Sequence, residues 1–446
     1  MKTAMTHAPA PALFQHAIAA LTEVLRLNHP ADAALSRYFR EHKQLGHRDR
    51  GFVAEAVFAI LRHKRSLEAL VLPQVNARRL LLAHLACHQG LDAKALEALL
   101  RHGEAELVEH LQQRWAAIGR GEDHFDPSGP LGLSAPAIAL DLPDWLYQRL
   151  LAQYGAEETQ ALVAALNRPA PLDLRVNSLK AERNAVAAQL AKDGIAATPT
   201  PYSPLGLRLA GKPALSRNPL FMDGAVEVQD EGSQLLGLLL APKRGEMVAD
   251  FCAGAGGKTL LLGALMRSTG RLYAFDVSEK RLNNLKPRLA RSGLSNVHPV
   301  RIESENDARI KRLAGKLDRV LVDAPCSGLG TLRRNPDLKW RQDEKSVAEL
   351  NAKQTAILNS AARLVKAGGR LVYATCSLLQ EENGAVADAF LAAHPDFVAV
   401  PVADILAAQG IELPGLEAMP AGRLALLPHR HDSDAFFAAV FERQAK

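Results

Sequence analysis

The stretch Arg319-Val-Leu-Val-Asp-Ala-Pro-Cys-Ser-Gly-Leu-Gly330 decides how the rest of the chain is interpreted. Its apolar residues, Val320 to Val322, predict a short buried strand that stops at Asp323, after which a proline and glycines interrupt the pattern. We therefore expect Asp323 and Cys326 to lie on a loop just beyond the carboxyl end of that strand. In open α/β sheets this is the edge at which ligands bind.

A second cysteine has the same setting further along the chain. The segment Gly369-Arg-Leu-Val-Tyr-Ala-Thr-Cys-Ser377 again predicts a strand that ends in a cysteine, Cys376. If the two strands belong to one sheet, their ends can bring Cys326 and Cys376 to a single substrate. The sequence thus predicts a site with two thiols.

Length and composition indicate an ordinary globular protein with more than one domain. The chain has 446 residues, of which 48% are hydrophobic and 23% are charged. No apolar run approaches the roughly 18 residues of a membrane helix, and the amino terminus lacks the charged-then-apolar order of a signal peptide. We therefore expect no membrane association. The oligomeric state stays open, with a monomer favoured.

The cysteine count and the net charge indicate in which cellular compartment the protein works and which partners it can bind. Four cysteines without a CxxC pair indicate neither a disulfide framework nor a zinc site. We expect a reducing cytoplasm and no bound metal. The net charge of +6 permits nucleic-acid binding but does not prove it.

Breaks in the pattern divide the chain into four predicted segments. Residues 1–120 are predicted to be a helical domain, in which Phe52, Ala56, Ala59 and Ile60 share one packed face. Its basic clusters suit RNA or a solvated helix face equally well. Residues 121–143 are rich in glycine and proline and are predicted to be a linker, and residues 144–225 a helical and small α/β connector.

From residue 226 to residue 446 the pattern alternates between strand and helix, which predicts a parallel, doubly wound sheet. The candidate strands are Met247–Phe251, Arg271–Phe275, His298–Ile302, Arg319–Val322 and Arg370–Tyr373. The final strand, Ala435–Phe441, is expected to pair antiparallel at the end of the sheet.

A glycine-rich turn, Val248-Ala-Asp-Phe-Cys-Ala-Gly-Ala-Gly-Gly-Lys-Thr259, joins the first of these strands to a helix. A P-loop is excluded because Cys252 stands where its first glycine is required. A nicotinamide site would need a third glycine, where this chain has Thr259. An S-adenosylmethionine (SAM) site needs only that the backbone approach the cofactor closely. In any of these classes Asp276, at the end of the next strand, can bind ribose hydroxyls, and a turn with a purely structural role remains an alternative.

The two thiols favour methyl transfer over hydride transfer. C5 of cytosine is a poor nucleophile until a thiolate adds to C6 and makes C5 electron-rich. The thiolate is the reactive form, so it needs a polar, partly exposed loop. An acid near N3, the expected place of Asp323, favours the addition because it neutralises developing charge.

Four motifs resemble those of the Sun/Nop-type RNA cytosine-5 methyltransferases. They are Asp250–Thr259, Asp323–Gly328, Arg333–Trp340 and Tyr373–Ser377, the last followed by Glu381-Glu-Asn383. The resemblance covers residues 144 to 441 and implies a multidomain protein that ends in a Rossmann-like α/β SAM-dependent methyltransferase domain. It implies that Cys376 is the nucleophile and that Cys326 helps to release the product.

The same resemblance implies which residues contact SAM. These residues are Cys252, Ala253, Gly254, Ala255, Gly256, Gly257, Lys258, Asp276, Asp307 and Asp323. The family turn usually reads Ala-Ala-Pro-Gly-Gly-Lys, so Gly254 and Ala255 are departures that should relax the loop. Asp307 is the better of several candidates for the acid on the adenine side. The helical amino-terminal domain resembles, more weakly, the NusB-like RNA-binding domain of the bacterial ribosomal RNA member.

The sequence thus predicts a SAM-dependent RNA cytosine-5 methyltransferase that acts on ribosomal RNA, most of all the small-subunit 16S RNA. Four basic residues after the Pro-Cys loop are candidates for RNA contacts: Arg333, Arg334, Lys339 and Arg341. The alternatives are the same chemistry on transfer RNA or on another ribosomal site, and a non-catalytic assembly factor that binds RNA. A dehydrogenase is the third alternative.

Overall fold

The computed structural model describes residues 7–125 and 135–445. The chain divides into two compact units. Unit 1 contains the described residues of Met1–Arg168 together with Leu332–Asp343, and unit 2 contains Pro169–Thr331 and Glu344–Lys446, apart from its undescribed last residue. The chain therefore leaves unit 2 shortly after Cys326 and returns to it at Glu344. The finer predicted division after residues 120, 143 and 225 stays a prediction, and residues 126–134 of the predicted linker lie outside the described residues.

Unit 1 is helical, as the sequence predicted. Its helices are α1 (Pro11–Val24), α2 (Ala31–Glu41), α3 (His47–Arg62), α4 (Lys64–Val71), α5 (Ala77–Ala83), α6 (Glu104–Gly119), α7 (Ala135–Ala139), α8 (Asp144–Leu166) and, further along the chain, α15 (Leu338–Arg341). On α3 the buried face is formed by Val53, Ala56, Val57 and Ile60. Phe52 is half-buried and packs against the same core, as predicted. Ala59 is also half-buried but does not belong to that core, because the core lies against the neighbouring stripe of the helix.

Unit 2 begins with the small α/β connector. Its elements are β1 (Leu172–Val176), α9 (Arg183–Lys192), β2 (Ala197–Pro199), β3 (Gly206–Leu209), α10 (Pro219–Met222) and β4 (Val226–Val228). The four strands form an antiparallel sheet in the order β2-β3-β1-β4. Its core is a separate cluster that includes Leu174, Val176, Leu190 and Leu207.

The rest of unit 2 alternates between helix and strand. Its strands are β5 (Met247–Asp250), β6 (Arg271–Asp276), β7 (Val297–Arg301), β8 (Leu317–Asp323), β9 (Val365–Thr375), β10 (Phe397–Ala399), β11 (Arg423–Leu426) and β12 (Phe436–Arg443). Its helices are α11 (Glu231–Leu240), α12 (Gly257–Leu265), α13 (Glu279–Ser292), α14 (Ala308–Lys311), α16 (Glu344–Ala362), α17 (Gly384–Ala393), α18 (Val402–Ala407) and α19 (Pro428–His431).

The eight strands form one mixed sheet in the order β10-β12-β9-β8-β5-β6-β7, with β11 paired to β12. Neighbours from β9 to β7 are parallel, and β12 is antiparallel to β9. The doubly wound sheet and the antiparallel last strand are therefore confirmed. β12 is nevertheless not an edge strand, because β10 and β11 pair with it on the side away from β9.

The strand order places a binding crevice next to β5. From β5 the chain proceeds outward to β6 and β7, then crosses back to β8 on the other side of β5. Ligands bind at such a reversal, outside the carboxyl ends of the strands. Large apolar clusters pack both faces of the sheet, so the polar residues at these strand ends have a rigid support. The predicted multidomain architecture is confirmed.

No described helix is long and apolar enough to cross a bilayer.

Candidate active site

Acidic and thiol side chains gather at the carboxyl ends of four adjacent strands of unit 2. Asp250 ends β5, Asp276 ends β6 and Asp323 ends β8, while Cys376 directly follows β9. The predicted ends of β5, β6 and β8 are correct to within one residue. The structure therefore brings Asp276, Asp323 and both predicted thiols to one edge of the sheet.

The two thiols are in contact. The Sγ atoms of Cys326 and Cys376 are 3.4 Å apart, and the backbone N–H of Cys376 donates to the Cys326 sulfur at 3.3 Å. Both cysteines are half-buried. The hydrogen bond with Cys376, together with burial, holds the pKa of the Cys326 thiol well above its usual range. Cys326 therefore keeps its proton and can donate it to the Cys376 sulfur.

A lysine from the glycine-rich turn forms an ion pair with Asp323. The Nζ atom of Lys258 donates to Oδ2 of Asp323 at 2.7 Å, and only 9% of the lysine side chain is exposed. Burial lowers the pKa of Lys258, but the negative charges of Asp323 and Cys376 outweigh it, so the pKa is raised. The amine is thus a positive charge that is bonded to Asp323 and interacts electrostatically with Cys376. The sequence had assigned Lys258 only to the cofactor turn.

The turn itself requires its glycines at particular positions. Gly256 has φ of 83°, and a Cβ atom built on it would lie 2.1 Å from Leu285 Cδ1. Gly254 also has positive φ, at 56°, but a Cβ there would meet nothing within 4 Å. The space beside Gly254 is open, which is what close approach of a cofactor to the backbone requires.

Asp276 and two arginines support the turn. The carboxylate of Asp276 accepts the N–H of Gly254 at 2.8 Å and the N–H of Ser278 at 2.7 Å. Arg288 donates to the carbonyl of Ala255 at 2.7 Å, and the buried Arg175 of the connector donates to the carbonyl of Gly257 at 2.6 Å. Neither arginine was found from the sequence, because nothing in their local pattern links them to a turn that is far away along the chain.

Two further polar side chains of the turn are withdrawn from solvent, Asp250 fully and Cys252 in part. Burial raises the pKa of Asp250 to about 7, against a hydrogen bond at 2.7 Å from Thr259. The other carboxylate oxygen of Asp250 has no hydrogen-bond partner among the described residues. Burial and neighbouring acids hold the pKa of Cys252 well above its usual range, so Cys252 is a protonated thiol that is unsuited to nucleophilic attack.

Asp307 caps the short helix α14 and is fully engaged. Its carboxylate accepts the guanidinium of Arg309 at 2.8 and 2.9 Å, the N–H of Arg309 at 2.8 Å and the N–H of Glu303 at 3.0 Å. These bonds, led by the guanidinium, hold the pKa of Asp307 far below its usual range. Its predicted role on the adenine side stays a prediction.

The four basic residues predicted to contact RNA belong to unit 1. Lys339 is only 1% exposed, and its amine donates to the carbonyl of Arg62 at 2.8 Å and to Asn167 Oδ1 at 3.1 Å. Arg333 is 6% exposed. An RNA contact through Lys339 is therefore disfavoured, because its amine is buried and donates to oxygens inside unit 1. Arg341 is half-buried and donates to the carbonyl of Leu27 at 3.3 Å, and Arg334 is also half-buried.

The acid Glu382 had no role in the sequence analysis, although its Glu-Glu-Asn motif was recognised. It is 0% exposed, and its carboxylate accepts hydrogen bonds from Ser327 and Ser377, the residues that follow Cys326 and Cys376. An acid a few residues after a predicted thiol motif was the available signal. Its double contact with two distant loops could be known only from the fold.

The residues of the turn fit SAM. Asp276 offers a carboxylate at the end of β6 for ribose hydroxyls, and Val277 beside it is 49% exposed and apolar, as a purine face requires. The turn presents open backbone at Gly254, and the cations at the turn, Lys258, Arg288 and Arg175, donate to protein oxygens. Among the described residues, no cluster of three or more His, Cys, Asp or Glu side chains could hold a metal ion.

Two family models match the chain. Residues 237–442 match the model described as 16S rRNA methyltransferase RsmB/F, and residues 142–216 match a ferredoxin-like domain of RsmF/B-like methyltransferases. The second match coincides with the connector and the helix before it. The two matches together cover the connector and the catalytic part of the chain.

Relatives match along most of the chain. The "Probable ribosomal RNA small subunit methyltransferase B" of Synechocystis sp. is 34% identical over 447 residues, which cover 96% of this chain and 99% of that protein. The protein of the same name from Bacillus subtilis is 29% identical and covers 90% of this chain and 92% of its own length.

Two solved structures also match most of this chain. The crystal structure of the protein PH0851 covers 98% of this chain and 100% of its own, with a TM-score of 0.79 and 28% identity. A methyltransferase homologue from Pyrococcus horikoshii covers 69% of this chain and 97% of its own, with a TM-score of 0.59 and 30% identity. The predicted SAM-dependent methyltransferase is confirmed, and the chain belongs to the RsmB/F family of 16S rRNA methyltransferases.

Proposed function

We propose that this enzyme transfers the methyl group of SAM to C5 of a cytosine in small-subunit ribosomal RNA, through a covalent bond between Cys376 and C6. The observation that carries the proposal is the contact of the two sulfurs, 3.4 Å apart, beside the Lys258–Asp323 ion pair. A SAM enzyme that methylates an already nucleophilic atom has no need of either thiol. Carbon 5 of a pyrimidine needs covalent activation.

The residues divide the chemistry as follows. SAM, when bound, supplies an electrophilic methyl group. The Cys376 sulfur adds to C6, and the electrons of the 5,6 double bond become available at C5. Asp323, held by Lys258, is positioned to hydrogen-bond the cytosine edge where charge develops.

Release of the product needs a second group. After methyl transfer the C5–H bond must break, its electrons must restore the 5,6 double bond, and the C6–S bond must break with its electron pair returning to Cys376. Cys326 is close enough to Cys376 to act on the same ring, and its raised pKa keeps it protonated while Cys376 attacks. We assign Cys326 to the proton transfer of this release step: once Cys376 is bonded to C6, Cys326 gives its proton to solvent and, as a thiolate, takes the proton from C5.

Ribosomal RNA is proposed as the substrate because two relatives along most of the chain carry the name of a small-subunit ribosomal RNA methyltransferase. We place the enzyme in the cytoplasm, where a reducing environment keeps both sulfurs as thiols. The helical amino-terminal part is proposed to bind RNA. Its helices α2 and α3 and the loop between them carry the exposed residues Arg37, Arg40, Lys43 and Arg48.

A denaturing gel tests the covalent mechanism. Cys376→Ala, mixed with unmodified small-subunit RNA and SAM, should give neither product nor a covalent band, because no sulfur attacks C6. Cys326→Ala should attack and transfer the methyl group but release it slowly, so an SDS-stable protein–RNA band should accumulate. Both variants should bind SAM normally, and Cys87→Ala, a half-buried cysteine of unit 1, is the matched control.

The outcomes separate the alternatives. The reverse pattern, with a band only for Cys376→Ala, would make Cys326 the nucleophile. Full activity in both variants would overturn the covalent mechanism. Bisulfite sequencing of total RNA from cells with and without the protein identifies the target, and a lost signal in transfer RNA alone would overturn the ribosomal assignment. If the protein were an RNA-binding assembly factor without activity, its removal would change the bisulfite signal of neither ribosomal RNA nor transfer RNA.

A further inference from the structure

One fully buried carboxylate connects the two loops that carry the thiols. Glu382 is 0% exposed and follows the Cys376 loop, just before α17. Its Oε1 atom accepts the backbone N–H of Ser327 at 2.8 Å and the side-chain amide of Gln354 at 2.9 Å. Its Oε2 atom accepts the hydroxyl of Ser327 at 2.5 Å and the hydroxyl of Ser377. Four donors thus surround one carboxylate.

The two serines are the direct neighbours of the thiols along the chain. Ser327 follows Cys326 and Ser377 follows Cys376, so a movement of either serine moves its thiol. The two cysteines lie 50 positions apart in sequence. Their loops also meet directly, through the sulfur contact, the hydroxyls of Ser327 and Ser377 at 3.2 Å, and the N–H of Gly330, which donates to the carbonyl of Cys376 at 2.8 Å. The carboxylate of Glu382 therefore bridges the two loops: Oε2 bonds both serine hydroxyls, and Oε1 anchors the backbone N–H of Ser327.

The surrounding bonds hold the bridge itself in place. The hydroxyl of Tyr373 donates to the carbonyl of Glu382 at 2.6 Å, and the amide of Gln354 also donates to the carbonyl of Pro325 at 3.0 Å. Burying a carboxylate is costly unless it is fully hydrogen-bonded. Stability alone does not require a charged group here, since an apolar contact could join two loops without that cost. A buried acid at this point is therefore explained better by a need to hold the two loops at a defined spacing.

We propose that Glu382 is a positioning residue that holds the Cys326 and Cys376 loops in register, so that both sulfurs meet one pyrimidine ring. The proposal rests on the function proposed above, because only a two-thiol mechanism requires this register. The carboxylate bonds the two serines and contacts neither sulfur, so Glu382 acts on the reaction through the loops.

The test measures the spacing of the sulfurs without using catalysis. Diamide takes two electrons and two protons from a pair of adjacent thiols and leaves one disulfide bond. The rate at which the Cys326–Cys376 disulfide forms, followed by peptide mapping under non-reducing conditions, therefore reports how often the two sulfurs meet. In Glu382→Ala this rate should fall at least about tenfold, and the turnover number should fall by about a hundredfold, as expected when a reacting group is misplaced by about 1 Å. The dissociation constant for SAM should stay within about twofold, because every contact of the glycine-rich turn is kept.

Two variants separate position from charge and from general damage. In Glu382→Gln the amide oxygen can accept from Ser327 N–H and Gln354, while the amide nitrogen can donate to the two serine hydroxyls, which can rotate to accept. The disulfide should therefore form at nearly the wild-type rate. Glu231→Ala removes another 0%-exposed acid of unit 2, one that accepts the N–H groups of Tyr202 and Ser203 at 2.6 and 2.7 Å. It should leave the disulfide rate unchanged.

The results distinguish this proposal from the function it rests on. An unchanged disulfide rate in Glu382→Ala would refute the positioning role, even if the wild-type enzyme methylates cytosine. A rate as slow in Glu382→Gln as in Glu382→Ala would also refute it, since the charge would then matter more than the bridge. A wild-type protein that does not methylate cytosine, yet shows the expected rates, would refute the function and keep the bridge. If Glu382→Ala does not fold, Ser377→Ala removes one hydroxyl link and should still slow the disulfide severalfold.

Discussion

Replacement of the buried amine of Lys339 should change how the stability of unit 1 depends on pH. Burial lowers the pKa of Lys339 from 10.5 to about 7, an effect that Asp141 opposes and Arg62 reinforces. The unfolded chain therefore binds its proton up to about pH 10.5, whereas the folded unit loses it near pH 7. Between these values the unfolded state holds more protons, so the free energy of unfolding must rise with pH.

The size of this effect follows from the same two values. At about 1.36 kcal/mol for each pH unit, the full difference between pKa values of 10.5 and about 7 is about 5 kcal/mol. Between pH 6 and pH 9 the wild-type free energy of unfolding should gain about 2.5 kcal/mol from this group. Lys339→Met has no such gain, so its free energy of unfolding relative to wild type should be highest at pH 6 and fall as the pH rises. The substitution also leaves the carbonyl of Arg62 and Asn167 Oδ1 without their hydrogen-bond donor. Each loss should lower the free energy of unfolding by about 1–3 kcal/mol at every pH.

Urea unfolding followed by tryptophan fluorescence measures the effect in the full chain. All three tryptophans, Trp115, Trp145 and Trp340, lie in unit 1, so the signal reports on the unit that contains Lys339. Lys94→Met, at an exposed position of unit 1, is the matched control and should follow the wild-type pH dependence. Parallel wild-type and Lys339→Met profiles between pH 6 and pH 9 would refute the reasoning. If the folded Lys339→Met variant bound RNA more weakly and with a smaller salt dependence than wild type, Lys339 would be an RNA contact after all.

Two further predictions concern the cofactor and the RNA. Asp276→Ala removes an acceptor for ribose hydroxyls, and hydrogen bonds to a charged group are worth ~1.5–3 kcal/mol of binding free energy. Calorimetry should therefore find that SAM affinity falls about tenfold or more. An unchanged dissociation constant would contradict the assignment of Asp276 to the ribose. Replacement of Arg40, Lys43 and Arg48 by Gln should reduce the slope of log affinity against log salt by about 1 for each phosphate that is no longer neutralised. Lys345→Gln, at a side chain 84% exposed in unit 2, is the control, and an equal slope in both variants would place the RNA elsewhere.

The sequence by itself determined the local pattern of the catalytic sheet. The strands β5, β6 and β8 were predicted because short apolar runs end there in Asp250, Asp276 and Asp323. A run of apolar residues that stops at a polar one is a local signal, and the doubly wound fold then follows from alternation with helices. The helical character of the amino-terminal part could be predicted from local signals in the same way. The buried stripe of α3 could not, because it depends on which neighbouring helices pack against α3.

Only the tertiary structure decided how distant residues meet. The contact of Cys326 with Cys376, the bond of Lys258 to Asp323 and the bond of Glu382 to Ser327 join residues that lie 50, 65 and 55 positions apart. The assignment of Leu332–Asp343 to unit 1 is of the same kind, and it gave Lys339 an interior role where the sequence suggested RNA. Charge and spacing along a chain show which side chains can bond, but burial and partners depend on the packing of elements remote in sequence. The chemistry could therefore be predicted from single motifs, whereas the geometry that unites them was set by the sheet.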